Sequence, residues 1–136
     1  MSQAARPILT PLLALAAGPA AWAAQLIAGY GASSLACFPH DAPAPTPPGP
    51  GEHVGLAALN LVCLAVAVAG LATAFMVWRS ARPDRFAEHN DQAPASAGRE
   101  QFLGACGMLS GAIFCVAILF DTAAIFGAPA CWSGLG

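Results

Sequence analysis

The sequence predicts an all-α integral membrane protein with three transmembrane helices, and three observations predict it. Only 9% of its 136 residues are charged while 57% are hydrophobic, against about 25% charged in an ordinary soluble domain. The apolar residues are gathered into three long blocks instead of recurring at the periods of a water-facing core. All five basic side chains are arginines, and they stand only in segments that flank those blocks.

The first block covers residues 8–37 and carries no charge, the second covers 54–78, and the third covers 102–126 with Asp121 as its one ionisable acid. Each exceeds the roughly 20 residues that carry a helix across about 30 Å of hydrocarbon. The first block has a competing reading. Arg6, the apolar run to Ala17 and "AAWAA" resemble a signal peptide cut near Ala23 or Ala24. A leader turns polar after its cleavage site, whereas this block stays apolar through "QLIAGYGASSLAC" and so reads as a span. Residues 1–136 thus form a single membrane domain with a loop at 38–53 and another at 79–101.

The arginines orient the spans. Arg6 precedes the first helix, and Arg79, Arg82, Arg85 and Arg99 lie between the second and third. With three spans those segments share one side, which the positive-inside bias makes the cytoplasm. The amino terminus is then inside and the carboxyl terminus outside. The outer loop "FPHDAPAPTPPGPGEH" holds six prolines, a density that favours extended polyproline-like chain and cannot build a core. The inner loop mixes both charge signs with Pro, Ala, Ser and Gly, as a solvated connector does, with a short interfacial turn near Phe86. Its arginines suit anionic lipid heads at roughly 1 kcal/mol each. Membrane lipid is the first expected partner. Nucleic acid is not one, since the net charge is −2.

Helices in lipid associate through small residues and interhelical hydrogen bonds. The second helix lines up Asn60, Cys63, Ala67, Gly70 and Ala74 at three- and four-residue steps. The third lines up Gly104, Gly107, Gly111 and Cys115, with "GMLSG" a GxxxG match at Gly107 and Gly111. These two stripes are the candidate contact. In the first helix Pro19, after Gly18, removes a backbone bond and is expected to kink it. Beyond it Trp22, Gln25, Gly29 and Ser33 share a face, with Tyr30 at its edge. Counted at about 1.5 Å per residue, Asp121, Asn60 and Tyr30 lie at similar depths, some 8–10 Å inside the outer ends of their helices. Tyr30 and Asn60 are therefore the expected partners of the acid in a proton-handling or packing node. Alternatively the span ends at Phe120 and leaves Asp121 among the headgroups.

Cys63, Cys106 and Cys115 fall within spans, where a thiol fills space. Cys37 closes the first helix and Cys131 follows the third, both on the predicted outer side, where disulfides persist. The outer ends of those helices can be neighbours, so a Cys37–Cys131 disulfide is predicted. The competing use of the same sulfurs is a zinc or copper site of Cys37, His40, His53 and Cys131, in which nothing fixes the histidines' geometry. His89 in the inner loop reads as solvated. A phosphate-binding glycine loop, GxSxG, HExxH and CxxCH are all absent, and the histidines lie outside the spans. No catalytic residue and no cofactor is predicted, and an enzyme is not expected.

"GPAAWAAQLIAGYGASSLAC", "FLGACGMLSGAIFCVAILF" and the terminal "APACW" together resemble a family of small three-span membrane proteins encoded in proteobacteria beside haem-copper cytochrome c oxidase genes. In that family a G-P-x-x-W-x-x-(Q or H) helix ends at Cys, and a Pro-x-Cys or Pro-Cys follows the last helix. The matching positions are Gly18, Pro19, Trp22, Gln25, Tyr30, Cys37, Pro129 and Cys131. The resemblance covers the first and third spans. It implies a genomic setting in the respiratory chain and no particular activity. The expectation is a non-enzymatic inner-membrane protein that accompanies or helps assemble a respiratory cytochrome oxidase through helix contacts. The alternatives are a metal-handling protein using the outer Cys and His groups, and a proton-linked transporter component built on Asp121.

Overall fold

The computed structural model describes residues 8–39, 50–82, 96–127 and 131. They form three α-helices: α1 (Leu9–Cys37), α2 (Pro50–Ser80) and α3 (Ala97–Gly127). No strand occurs among the described residues. All three helices are long and apolar enough to cross a membrane, the architecture of a multi-pass membrane protein. Arg6, His40, Arg85, Phe86, His89 and Pro129, with the features assigned to them, lie outside the described residues.

The helices outrun the apolar blocks. α2 begins at Pro50 instead of residue 54 and ends at Ser80 instead of 78, and α3 begins at Ala97 instead of 102. A hydropathy pattern measures the stretch that hydrocarbon can hold, whereas a helix continues wherever its backbone bonds are made. Pro50 suits a first helical position because its missing N–H would have no partner there. Glu100 in the first turn of α3 complements the helix dipole. The connectors are correspondingly shorter than 38–53 and 79–101.

Close backbone approach builds the bundle. A Cβ added to Gly104 would lie 2.8 Å from both the backbone nitrogen and the Cβ of Trp78. One on Gly107 would lie 2.9 Å from Ala74 Cβ, and one on Gly111 3.0 Å from Leu71 Cβ. The α3 glycines therefore admit α2. Gly70 turns the other way, with its added Cβ 2.6 Å from Ala17 Cβ on α1. The small stripe of α2 is thus shared between both neighbours. Towards the middle, Ala21, Cys63, Ala67 and Ile118 form a buried cluster, and the Trp22 and Phe114 rings pack at 5.5 Å between centroids.

α1 runs as one helix through Pro19. A proline cannot donate to the carbonyl four residues back, here that of Leu15. Ser110 Oγ of α3 donates to Leu15 O across 3.4 Å, a long contact that gives the carbonyl an interhelical partner. The neighbouring glycines make it accessible: an added Cβ on Gly107 would be 3.7 Å from Leu15 Cα, and one on Gly18 3.4 Å from Gly111 Cα. Proline on one helix and G-x-x-S-G on the other are two halves of one contact. Outside it, Leu13, Ile27, Leu61, Phe102 and Phe120 are exposed, the apolar surface that a span offers to lipid.

Candidate functional site

The polar groups of the bundle collect near the end where Cys37 and Cys131 meet. These two are joined as a disulfide with their Cα atoms 5.5 Å apart, linking the last residue of α1 to the chain beyond α3. Both sulfurs of the competing Cys37/His40/His53/Cys131 metal set are thereby consumed. Among the described residues, no group of three His, Cys, Asp or Glu side chains is placed to hold a metal ion. Cys63, Cys106 and Cys115 are free thiols.

About 18 Å from Cys37 along α1, at 1.5 Å per residue, lies a set of interhelical hydrogen bonds. Gln25 Nε2 on α1 donates to Asp121 Oδ2 on α3 at 3.2 Å. Asn60 Nδ2 on α2 donates to Thr122 Oγ1 at 3.1 Å, and Thr122 Oγ1 donates to Ile118 O within α3 at 2.7 Å. Gln25 and Asn60 are the buried polar side chains among the described residues, only 4% and 3% exposed. Each fastens α3 to a different neighbour, which is how polar groups hold helices together where water is scarce.

This corrects the expected partners of the acid. Asp121 is bonded by Gln25, whereas Tyr30 is 80% exposed and Asn60 pairs with Thr122. Depth along an axis says nothing about rotation around it. Tyr30 is five positions beyond Gln25, about 140° around the helix at 100° per residue, so it is turned away from the buried Gln25–Asp121 bond. Asp121 and Thr122 are adjacent on α3 and diverge by one such step, towards α1 and α2 respectively.

An open cleft of about 210 Å³ lies over this network between the three helices. Gln25, Tyr30, Ser33, Asn60 and Asp121 give it polar groups, while Leu26, Leu56 and Ile125 give it apolar walls. Gln25 Oε1 is buried without a hydrogen-bond donor among the described residues. Twenty residues at 1.5 Å, counted from Phe102, span about 30 Å and end at Asp121. Counted instead over the whole apolar helix, Ala97–Phe126, Asp121 lies five residues inside the end of the span.

The other end is built differently. Arg82 lies over the Trp78 ring at 3.8 Å from its centroid, a cation–π pair. Phe75 packs beside the same indole at 6.1 Å.

Ser110 and Thr122 are polar contact residues that the sequence reading did not single out, and Gly18, named there only for the kink, lies against Phe114 and Gly111 of α3. The signal for Ser110 was present, since Pro19 leaves the carbonyl of Leu15 without a donor and a hydroxyl follows Gly107 on α3. Thr122 had no comparable signal.

Comparison with protein-family models, with curated proteins and with solved structures finds no match to this chain.

Proposed function

We propose that this protein is a non-enzymatic accessory or assembly subunit of a larger complex in a bacterial inner membrane, a respiratory cytochrome oxidase, which it joins through helix contacts in the bilayer. The observation that carries the general reading is the contrast between a filled interior and a polar side. Ala67 and Ile118 are fully buried and α3 glycines lie against α2 along the axis, while an open cleft at one end presents polar groups. Such a body binds through its flanks. The oxidase as partner rests on the sequence resemblance, and the orientation, amino terminus inside and carboxyl terminus outside, on the arginines.

The two alternatives have less support. A proton path built on Asp121 needs polar groups continuing through the middle, where the described residues place alanine, cysteine and isoleucine. A metal site on the outer sulfurs needs thiolates that the disulfide has taken. The test is affinity purification of the full chain in mild detergent with mass spectrometry of the eluate. Oxidase subunits in stoichiometric yield are expected, and a homo-oligomer without them would overturn the reading. Reporter fusions are expected to be cytoplasmic after Arg99 and periplasmic after Gly136. The reverse pattern would overturn the orientation.

A further inference from the structure

The cleft beside the disulfide has chemistry that the accessory reading does not use. Gln25 is fixed through its amide nitrogen, which donates to Asp121 Oδ2. That bond commits the orientation of the amide and leaves Oε1, on a residue that lines the cleft, buried without a donor among the described residues. A buried carbonyl without a donor is costly, so the site calls for a group that brings one. Beside that carbonyl stands the Asp121 carboxyl, an acceptor that favours a cation. The occupant therefore presents N–H donors on a positive centre.

Position narrows the class. Asp121 falls at the hydrocarbon edge when counted from Phe102, the level at which a phospholipid headgroup meets its chains. The cleft is open and has apolar walls of Leu26 and Ile125. The Tyr30 and Ser33 hydroxyls also line it, and a hydroxyl can donate to a phosphate oxygen. Two acceptors for an ammonium beside two donors for a phosphate match a zwitterionic headgroup.

We propose that this cleft is a binding site for an aminophospholipid, whose primary ammonium donates to Gln25 Oε1 and Asp121 while its phosphate accepts from Tyr30 and Ser33. Phosphatidylcholine has the same net charge and no N–H, because its nitrogen is quaternary. It therefore separates hydrogen-bond recognition from charge alone. Phosphatidylglycerol supplies hydroxyl donors without a cation.

The test uses the delipidated full-length protein in mild detergent, titrated with phosphatidylethanolamine, phosphatidylcholine and phosphatidylglycerol of identical acyl chains and read by native mass spectrometry. Phosphatidylethanolamine is expected to bind about tenfold more tightly than either of the others, the scale of one charge-assisted hydrogen bond. Asp121→Asn, nearly isosteric, is expected to bring that preference to within about twofold. Equal binding of the ethanolamine and choline lipids by the unmodified protein would overturn the proposal, leaving the cleft to water or to a partner's side chain. Retention of the full preference by Asp121→Asn would overturn it too. Soluble phosphoethanolamine is the remaining arm. If it binds as tightly as the lipid, the occupant is not a lipid and the proposal fails. None of these readings depends on the oxidase, so this inference and the accessory reading fail separately.

Discussion

The two ends of this bundle are held by different physics. Towards the arginine end, α2 and α3 approach until a single added carbon at Gly104 would strike the Trp78 backbone, and association there is van der Waals contact between small surfaces. At the disulfide end the glycines of α1 are open: a Cβ on Gly29 or Gly31 would meet nothing within 4 Å. There the helices are joined by a covalent bond, by Gln25 to Asp121 and by Asn60 to Thr122. The difference teaches that glycine in a membrane helix is not by itself a packing signal. What counts is whether another backbone stands opposite, and where none does, discrete bonds replace the missing contact.

The largest expected effect of breaking this contrast is at the clasp. Cys37 and Cys131 are 94 positions apart, and closing a loop of that size is worth up to about 4–5 kcal/mol in the chain-entropy model. The bilayer already confines the unfolded helices, so this is an upper bound. The reduced protein, or Cys37→Ser, should melt well below the oxidised protein in detergent. Equal midpoints would show that the polar end does not need its covalent bond.

Next comes the dry end. Gly104→Leu must displace main chain at Trp78 and not merely a flexible side-chain tip, and overpacking of this kind costs about 1–3 kcal/mol. A thermal midpoint unchanged from wild type would mean that α2 and α3 are not pressed together as described. A smaller effect is expected from the coupling of Gln25 and Asp121. In a double-mutant cycle of Gln25→Leu and Asp121→Leu, the interaction energy should be about 0.6 kcal/mol, the average for hydrogen bonds between membrane helices. Zero coupling would sever the pair. The smallest effect sharpens the comparison from the other side. Gly31→Ala fills open space and should be neutral or stabilise by up to about 1 kcal/mol, since alanine is the better helix former. A loss comparable to that of Gly104→Leu would erase the distinction between the two ends.

Much of the fold was legible in the sequence because hydrocarbon imposes one length and a small menu of residues. Three apolar blocks give three helices, and Cys37 and Cys131, each just at or beyond a span end, come within disulfide distance. The helix ends were less legible, because residues 50–53 and 97–101 carry polar and charged side chains and are still helical. The site was legible only by residue type. Gln25, Asn60 and Asp121 stand out as polar in apolar surroundings, but which meets which depends on the rotation of each helix. A rotation of one residue step decides whether Asp121 or Thr122 faces α1. Gly70 shows the same limit: its spacing puts it on the small stripe of α2, while the helix it opposes is α1 and not α3.

The carbonyl of Leu15 ties this geometry to the order of synthesis. Its donor, Ser110, is 95 residues further along the chain, so at about 5–20 residues per second the ribosome needs roughly 5–20 s to make it after Leu15 itself. Over that interval the first helix is a nascent segment with a gap in its own hydrogen-bond ladder at Pro19. The carbonyl gains its interhelical partner only once the third helix arrives. Displacing the proline by one position would move the gap away from Ser110 and leave a helix that the finished bundle no longer completes.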